Sequence, residues 1–214
     1  MLLRTCTRLV PLAFVLLAGC AGSGGPRSGS QQADMDGAAT EADAALAEIP
    51  VQALTMFEQA AAEMAAGDFL EAELRFQEFL LRYPGYPGAH VNLAIIHSKN
   101  GSDEAARAAV DAALALDPSN AAALNQLGML LRKNGNFLEA EAAYLKAVTA
   151  SPDYALAHYN LGVLNELYLQ RFDVALQHFE AYQALVGDDK QVEKWIADLR
   201  RRVAATQRTA NVAE

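Results

Sequence analysis

Residues 121–154 decide the fold: AAALNQLGMLLRKNGNFLEAEAAYLKAVTASPDY. Small and large apolar residues recur at helical spacing on both sides of a glycine, and a proline follows the second apolar run. These positions are Leu124, Leu127, Gly128, Leu131, Gly135, Ala140, Tyr144, Ala147 and Pro152. The order predicts two antiparallel helices with a tight turn at Gly135. The second helix should end before Pro152, because proline cannot continue the helical hydrogen-bond ladder.

The same order of residues recurs along the chain with a period of 34. Three independent columns show it: Gly67, Gly101 and Gly135; Ala72, Ala106 and Ala140; Pro84, Pro118 and Pro152. A shared register in several columns indicates an internal repeat rather than ordinary helix composition. The small residues expected where the first helix presses on the second are Ala60, Ala94, Gly128 and Gly162. The larger residues expected to fill the space between hairpins are Phe76, Val110, Tyr144 and Phe179.

The pattern Leu124-x₂-Leu127-Gly128-x₂-Leu131 followed by Ala140-x₃-Tyr144 and Pro152 resembles the tetratricopeptide repeat. The family's tryptophan is absent, and Met56, His90, Leu124 and His158 stand in its column. The resemblance implies an all-α fold, an α-solenoid of antiparallel helix hairpins. Four repeats are expected, over 53–86, 87–120, 121–154 and 155–189, and the last should hold one extra residue around 168–171. A solenoid also needs a capping helix, predicted over 190–203 with a frayed tail over 204–214.

The N-terminal residues predict export and a lipid anchor. Arg4 and Arg8 precede an apolar run that is too short to span a bilayer, which is typical of a signal peptide over 1–19. Leu17-Ala18-Gly19-Cys20 resembles the bacterial lipobox, and this resemblance implies a Gram-negative lipoprotein acylated on Cys20. Because Ala21 is not the aspartate that commonly retains lipoproteins at the inner membrane, the family rule implies the outer membrane, facing the periplasm. A flexible linker is predicted over 20–37, and at most a short helix over 38–52, with Pro50 as the entry to the first repeat helix.

Composition excludes several classes of function. A net charge of −9 argues against nucleic-acid binding, because that requires clustered Lys and Arg. Two cysteines provide neither a disulfide framework nor a four-thiolate zinc site. No nucleophile elbow, phosphate loop or paired-acid motif occurs, so no catalytic residue, cofactor or enzyme activity is predicted. His90 and His97 share a helix face, but no carboxylate or thiol completes a ligand set, and no metal site is predicted there.

Repeats of this family bind peptides along the concave surface of their first helices, and the resemblance extends this role to our chain. Asn92, Gln126 and Asn160 recur 34 apart, and primary amides can hold an extended peptide by its backbone. Lys99, Arg132 and Lys133 add positive charge, which suits an acidic peptide. The full predicted groove consists of Asn92, Lys99, Asn125, Gln126, Met129, Arg132, Lys133, Tyr159 and Asn160. Instead of binding a peptide, the amides could satisfy the backbones of neighbouring helices. The basic residues could instead be solvated at the ends of their helices.

The sequence therefore predicts a non-enzymatic, lipid-anchored periplasmic scaffold that recruits a protein partner to the outer membrane. Envelope-adaptor lipoproteins, pilotin lipoproteins of the type IV pilus and repeat proteins of TonB-type systems share this plan, although pilotins typically have six repeats. A carrier of a small ligand or a metal, using the histidines, is the alternative from another class.

Overall fold

The computed structural model describes residues 50–212, with side chains over 50–208. This part of the chain is helical and contains no strand. The helices are α1 (Val51–Ala66), α2 (Phe69–Arg82), α3 (Pro87–Lys99), α4 (Asp103–Leu116), α5 (Ala121–Lys133), α6 (Phe137–Ala150), α7 (Ala155–Leu164), α8 (Phe172–Val186) and α9 (Lys190–Val212); a π-helical turn, Asn165–Leu169, continues α7. Each odd-numbered helix up to α7 packs against the even-numbered helix that follows it. The all-α solenoid of helix hairpins is thus confirmed.

The first helix begins slightly earlier than the first predicted repeat. Pro50 precedes α1 and its carbonyl accepts a hydrogen bond from the amide of Leu54 at 3.1 Å. Residues 51 and 52 therefore belong to the first repeat helix rather than to a separate short helix. The remainder of the expected helix over 38–52, the signal peptide, Cys20 and the linker lie outside the described residues.

The glycine columns have two different physical reasons. Gly67, Gly101 and Gly135 end the first helix of their hairpins with φ of 87°, 76° and 80°, a left-handed conformation that glycine adopts without steric cost. Position 128 needs glycine because the backbone of the first helix lies directly against the Tyr144 ring, where a Cβ would be 2.5 Å from Cε1. Gly162 meets Phe179 in the same way, at 2.7 Å. The larger residues opposite, Phe76, Val110, Tyr144 and Phe179, are all completely buried, as predicted.

The extra residue of the fourth repeat is accommodated by the π-helical turn. A π-helical turn holds one residue more than an α-helical turn over the same rise. Gln170 ends the turn with φ of 56°, and the carbonyl of Asn165 accepts a hydrogen bond from Arg171 N at 2.9 Å. The insertion predicted near 168–171 is therefore absorbed inside the first helix of the hairpin, slightly before the turn.

Helix α9 caps the solenoid by packing against α8. Asp189 begins it, its Oδ1 accepting hydrogen bonds from the amides of Gln191 and Val192. Val192, Ile196 and Leu199 form the buried stripe. The predicted end of this helix at Val203 was wrong, since α9 continues to Val212. The predicted tail contains no glycine or proline through that residue and includes good helix formers, so nothing in it stops the helix.

Arg200 and Arg202 of the basic run at 200–202 form ion pairs with the last hairpin, although Arg200 and Arg201 are exposed. Arg202 Nη1 lies 3.3 Å from Glu166 Oε1 of the π-helical turn, and its guanidinium stacks 3.7 Å from the centroid of the Phe172 ring. Arg200 pairs with Glu180 of α8. These contacts fix the capping helix to the last hairpin.

No helix in the described part of the chain has the length and apolar character that crossing a bilayer requires.

Candidate binding groove

The odd-numbered helices form one layer of the solenoid. Helix α1 contacts α3, α3 contacts α5, and α5 contacts α7, whereas no pair of even-numbered helices within residues 50–212 makes comparable contact. Because helices lie closer together on the inner side of a curved stack, the odd-numbered layer is the concave side. This is the layer on which the sequence placed the binding residues.

A cavity of about 660 Å³ opens in this layer. It lies between the C-terminal halves of α3 and α5, and the start of α6 and the π-helical turn close its side. Five predicted groove residues line it, namely Lys99, Gln126, Met129, Arg132 and Lys133. The remaining lining residues are Ile95, Ser98, Leu130, Gly135, Phe137 and Tyr168. The structure therefore brings the predicted basic residues together around one opening.

The three cationic side chains of the cavity differ in whether they already interact with another side chain of the protein. Lys133 Nζ is 2.6 Å from Asp103 Oδ1, and Lys99 Nζ stands 5.2 Å from the centroid of the Phe69 ring. Arg132 forms no ion pair with any carboxylate of residues 50–208. All three lie in the last turns of α3 and α5, where the negative end of the helix dipole favours cations. Arg132 is thus the cation most available to a bound anion.

Two hydroxyl groups near Arg132 have no hydrogen-bond partner in the described part of the chain. They are the buried Oγ of Ser98, a residue of the cavity wall, and the buried hydroxyl of Tyr144, on which the charge of Arg132 acts. Burial raises the pKa of Tyr144 to about 12, while the positive charge of Arg132 acts in the opposite direction. An unpaired buried hydroxyl is costly and therefore stands out. Although Ser98 lines the cavity, its Oγ is buried beneath the surface, so Arg132 rather than this hydroxyl is the polar group that a ligand in the cavity can meet.

The predicted amide ladder is not an open ladder in the structure. Asn160 Nδ2 donates a hydrogen bond to Asn125 Oδ1 at 2.9 Å, and the two side chains are buried, so this pair joins α7 to α5. Because both side chains are buried between the helices, little of either amide is exposed to a peptide in the groove. Asn92 is half-buried in α3, and Gln126 alone of the recurring amides lines the cavity. The alternative of bonding between helices therefore describes Asn125 and Asn160 better.

Tyr159 belongs to a different environment from the cavity. Its ring packs against Tyr182 and Trp195, with centroids 5.3 and 6.1 Å away, within the aromatic cluster beneath α9. The sequence predicts a capping helix over 190–203, but it does not show that this helix reaches the side chain of Tyr159. In the structure the capping helix covers this side chain. Tyr159 therefore stabilises the cap rather than lining the cavity.

Ser98, Phe137 and Tyr168 also line the cavity and were not predicted from the sequence. Ser98 lies about one helical turn from Ile95, so helical periodicity could have found it. Tyr168 lies in the π-helical turn, and the direction of its side chain depends on that turn. Its ring centroid is 4.6 Å from that of Phe137. A second, smaller apolar cavity of about 270 Å³ lies at the first repeat, lined by Ala53, Leu54, Phe57, Phe79, Tyr86 and Gly88.

No metal-binding group of three or more His, Cys, Asp or Glu side chains exists within the described residues. His90 lies in α3 near its start, and burial lowers its pKa from the ordinary value. His97 lies 3.9 Å from Glu73 of α2. The two histidines that share a helix face therefore do not form a ligand set with their surroundings.

Comparison with known proteins agrees with this architecture. Two models described as tetratricopeptide repeat match residues 63–130 and 125–190. Over residues 63–190 the chain is thus a tetratricopeptide repeat protein. Repeats of this kind are in general non-catalytic scaffolds that bind protein or peptide partners, and the repeat region here is a scaffold for protein–protein interaction.

Individual relatives resemble parts of the chain. A tetratricopeptide repeat and J domain-containing co-chaperone of Fusarium oxysporum, DNJ1, is 38% identical over 66 residues, which is 31% of this chain and 13% of the co-chaperone. The structure of PilF from Pseudomonas aeruginosa is similar with a TM-score of 0.63, 25% identity and 72% coverage of both chains. The first repeat domain of Spaghetti (RPAP3), solved with an HSP90 peptide, matches with a TM-score of 0.51, 17% identity and coverage of 55% of this chain and 95% of that one.

Proposed function

We propose that this protein is a lipid-anchored periplasmic adaptor that binds an acidic segment of a protein partner through the cavity between α3 and α5. The observation that carries the binding mode is the cavity itself, in which Arg132 has no carboxylate partner in the described chain. A carboxylate beside Arg132 would form a charge-assisted hydrogen bond, the strong class of hydrogen bond in proteins. The lipobox-like residues ending at Cys20 support the anchor and the outer-membrane location.

The binding mode is tested by placing a photo-crosslinking amino acid at Met129, which lines the cavity and is 37% exposed. The matched control position is Leu145 on the outer helix α6, which is 43% exposed. The groove proposal expects a discrete crosslinked product in the cell envelope from position 129 and not from position 145. Identical products from both positions would contradict it.

The charge requirement is tested in the same cells with Arg132→Ala. Loss of a hydrogen bond to a charged group costs about 1.5–3 kcal/mol, which corresponds to about a 10- to 150-fold loss of affinity. The product from position 129 should therefore decrease strongly. Arg107→Ala is the matched control, because Arg107 is an exposed arginine on the outer helix α4 paired with Asp111. An equal effect of the two substitutions would reject recognition by Arg132.

A pilotin-like assembly factor for a secretin or pilus is the second candidate. It is favoured by the similarity to PilF, which covers 72% of both chains. Deletion of the gene and examination of outer-membrane fractions would separate the candidates. Loss of assembled secretin oligomers favours the pilotin-like role, and unchanged oligomers favour a different partner.

A further inference from the structure

Two histidine rings meet between α7 and α8, away from the cavity. His158 Nδ1 lies 3.2 Å from His178 Nδ1, and the ring centroids are 5.4 Å apart with the planes inclined by 44°. Both side chains are half-buried, so water can reach them. The residues are 20 positions apart in sequence and on different helices. For this reason no local motif reveals the pair.

A backbone carbonyl determines which nitrogen His158 presents to its neighbour. His158 Nε2 lies 3.1 Å from the carbonyl oxygen of Pro152. A carbonyl only accepts hydrogen bonds, so the neutral ring carries its proton on Nε2 and has a lone pair on Nδ1. Metal-binding histidines typically show this arrangement, in which the other ring nitrogen donates to a carbonyl or carboxylate. In the described structure His178 Nδ1–H is the group that can donate to this lone pair.

The distance between the two Nδ1 atoms fits a shared metal ion. Zinc binds imidazole nitrogen at about 2.0–2.1 Å, and two such bonds to atoms 3.2 Å apart enclose an angle of about 100°, close to the tetrahedral value. We propose that His158 and His178 form an exchangeable site for a divalent transition-metal ion such as Zn²⁺, with both Nδ1 atoms as ligands and water in the remaining positions. When the metal binds, the His178 proton moves to Nε2, so a neutral pair releases no net proton.

The surroundings of the pair suit a weakly held cation. Glu141 of α6 is close enough for its negative charge to act on His178, although both its oxygens already accept from Arg171 Nη1 at 2.9 Å. No third His, Cys, Asp or Glu within the described residues joins the pair, which leaves the site open to solvent and the metal exchangeable.

The test titrates Zn²⁺ into the metal-stripped full chain by calorimetry. Cys6→Ser and Cys20→Ser are introduced first, because thiolates would bind zinc on their own. The proposal expects one saturable site in this background, and its loss in both His158→Ala and His178→Ala. The double variant His90→Ala, His97→Ala is the matched control, and it should bind zinc within twofold of the background. Absence of saturable binding in the background, or its persistence in both single variants, overturns the proposal.

A second measurement needs no substitution at the histidines. The imidazole resonances of the background protein are followed by NMR during the same titration. The signals of His158 and His178 should shift together and saturate at one equivalent, while those of His90 and His97 stay in place. Shifts confined to His90 and His97 would place the metal elsewhere and reject the pair. Because the site lies outside the cavity, either result leaves the proposed partner binding unaffected.

Discussion

Replacing Gly128 with alanine should destabilise the solenoid, although alanine is the better helix former. The new Cβ would lie 2.5 Å from Cε1 and 2.6 Å from Cδ1 of Tyr144. Carbon atoms pack best at about 3.5–4.0 Å, so the Tyr144 ring or the helix must move by about 1 Å. The ring is completely buried and surrounded by packed atoms, which leaves it no free direction.

The expected magnitude follows from two opposing contributions. Overpacking in a close-packed core costs about 1–3 kcal/mol, and the immobile ring favours the upper part of this range. Alanine regains about 1 kcal/mol of helix propensity relative to glycine. The net loss should be about 2 kcal/mol, which lowers the thermal midpoint by about 4–8 °C for a chain of this size. The measurement is thermal unfolding of the purified protein followed by circular dichroism.

Gly88→Ala is the matched control for this experiment. Gly88 also lies in an inner helix, but its Cβ would meet the Phe57 ring at 3.6 Å, an ordinary contact. This variant should keep or raise the midpoint. In addition, Tyr144→Val should partly rescue Gly128→Ala, because the second repeat already pairs Ala94 with Val110 in these columns. An unchanged or raised midpoint for Gly128→Ala, or strictly additive effects in the double variant, would refute the close-approach argument.

Three further predictions concern the anchor, the cap and the histidine pair. Cys20→Ala should move the protein from the membrane to the soluble fraction in cell fractionation, and equal membrane recovery would contradict lipidation at this residue. Leu199→Ala should lower the free energy of unfolding in urea by about 2–5 kcal/mol, because Leu199 is completely buried on the inner face of the cap, whereas Gln207→Ala on the exposed part of α9 should lower it little. In EDTA, the free energy of unfolding should fall as the pH drops from about 6.5 to about 4, because the folded state holds the pKa of His178 at about 4 and the unfolded state takes up the proton first. His178→Gln should show a shallower decline over this pH range. Parallel profiles of the two proteins would refute the lowered pKa of His178.

The sequence predicted the hairpin packing well because that packing is encoded in short-range columns. Gly128 and Tyr144 are 16 positions apart within one hairpin, and a fixed period makes such a pair visible without a structure. The binding cavity was only partly predictable. Lys99, Arg132 and Lys133 follow from helix register, whereas the engagement of Lys133 by Asp103 depends on how two hairpins are stacked.

The remaining errors also come from contacts between distant elements. Asn160 belongs to the recurring polar positions and Asn125 was predicted beside them, but the sequence does not show that their amides bond to each other across two helices. Tyr159 was assigned to the groove because the inner helices were treated as equivalent, although the last one is covered by α9. The contact between His158 and His178 was not predicted either, because the two residues lie on different helices.

The π-helical turn has a consequence for how the length of this chain should be interpreted. Gly162 meets Phe179 over 17 positions, while Gly128 meets Tyr144 over 16, yet the two contacts are nearly identical. The additional residue is thus taken up without loss of the close approach between the two helices. The π-helical turn that accommodates it carries Tyr168 at the cavity and Glu166 beside Arg202. The longer fourth repeat thus marks the place where this molecule differs from a solenoid of uniform 34-residue repeats. Such π-helical turns frequently occur at functional positions.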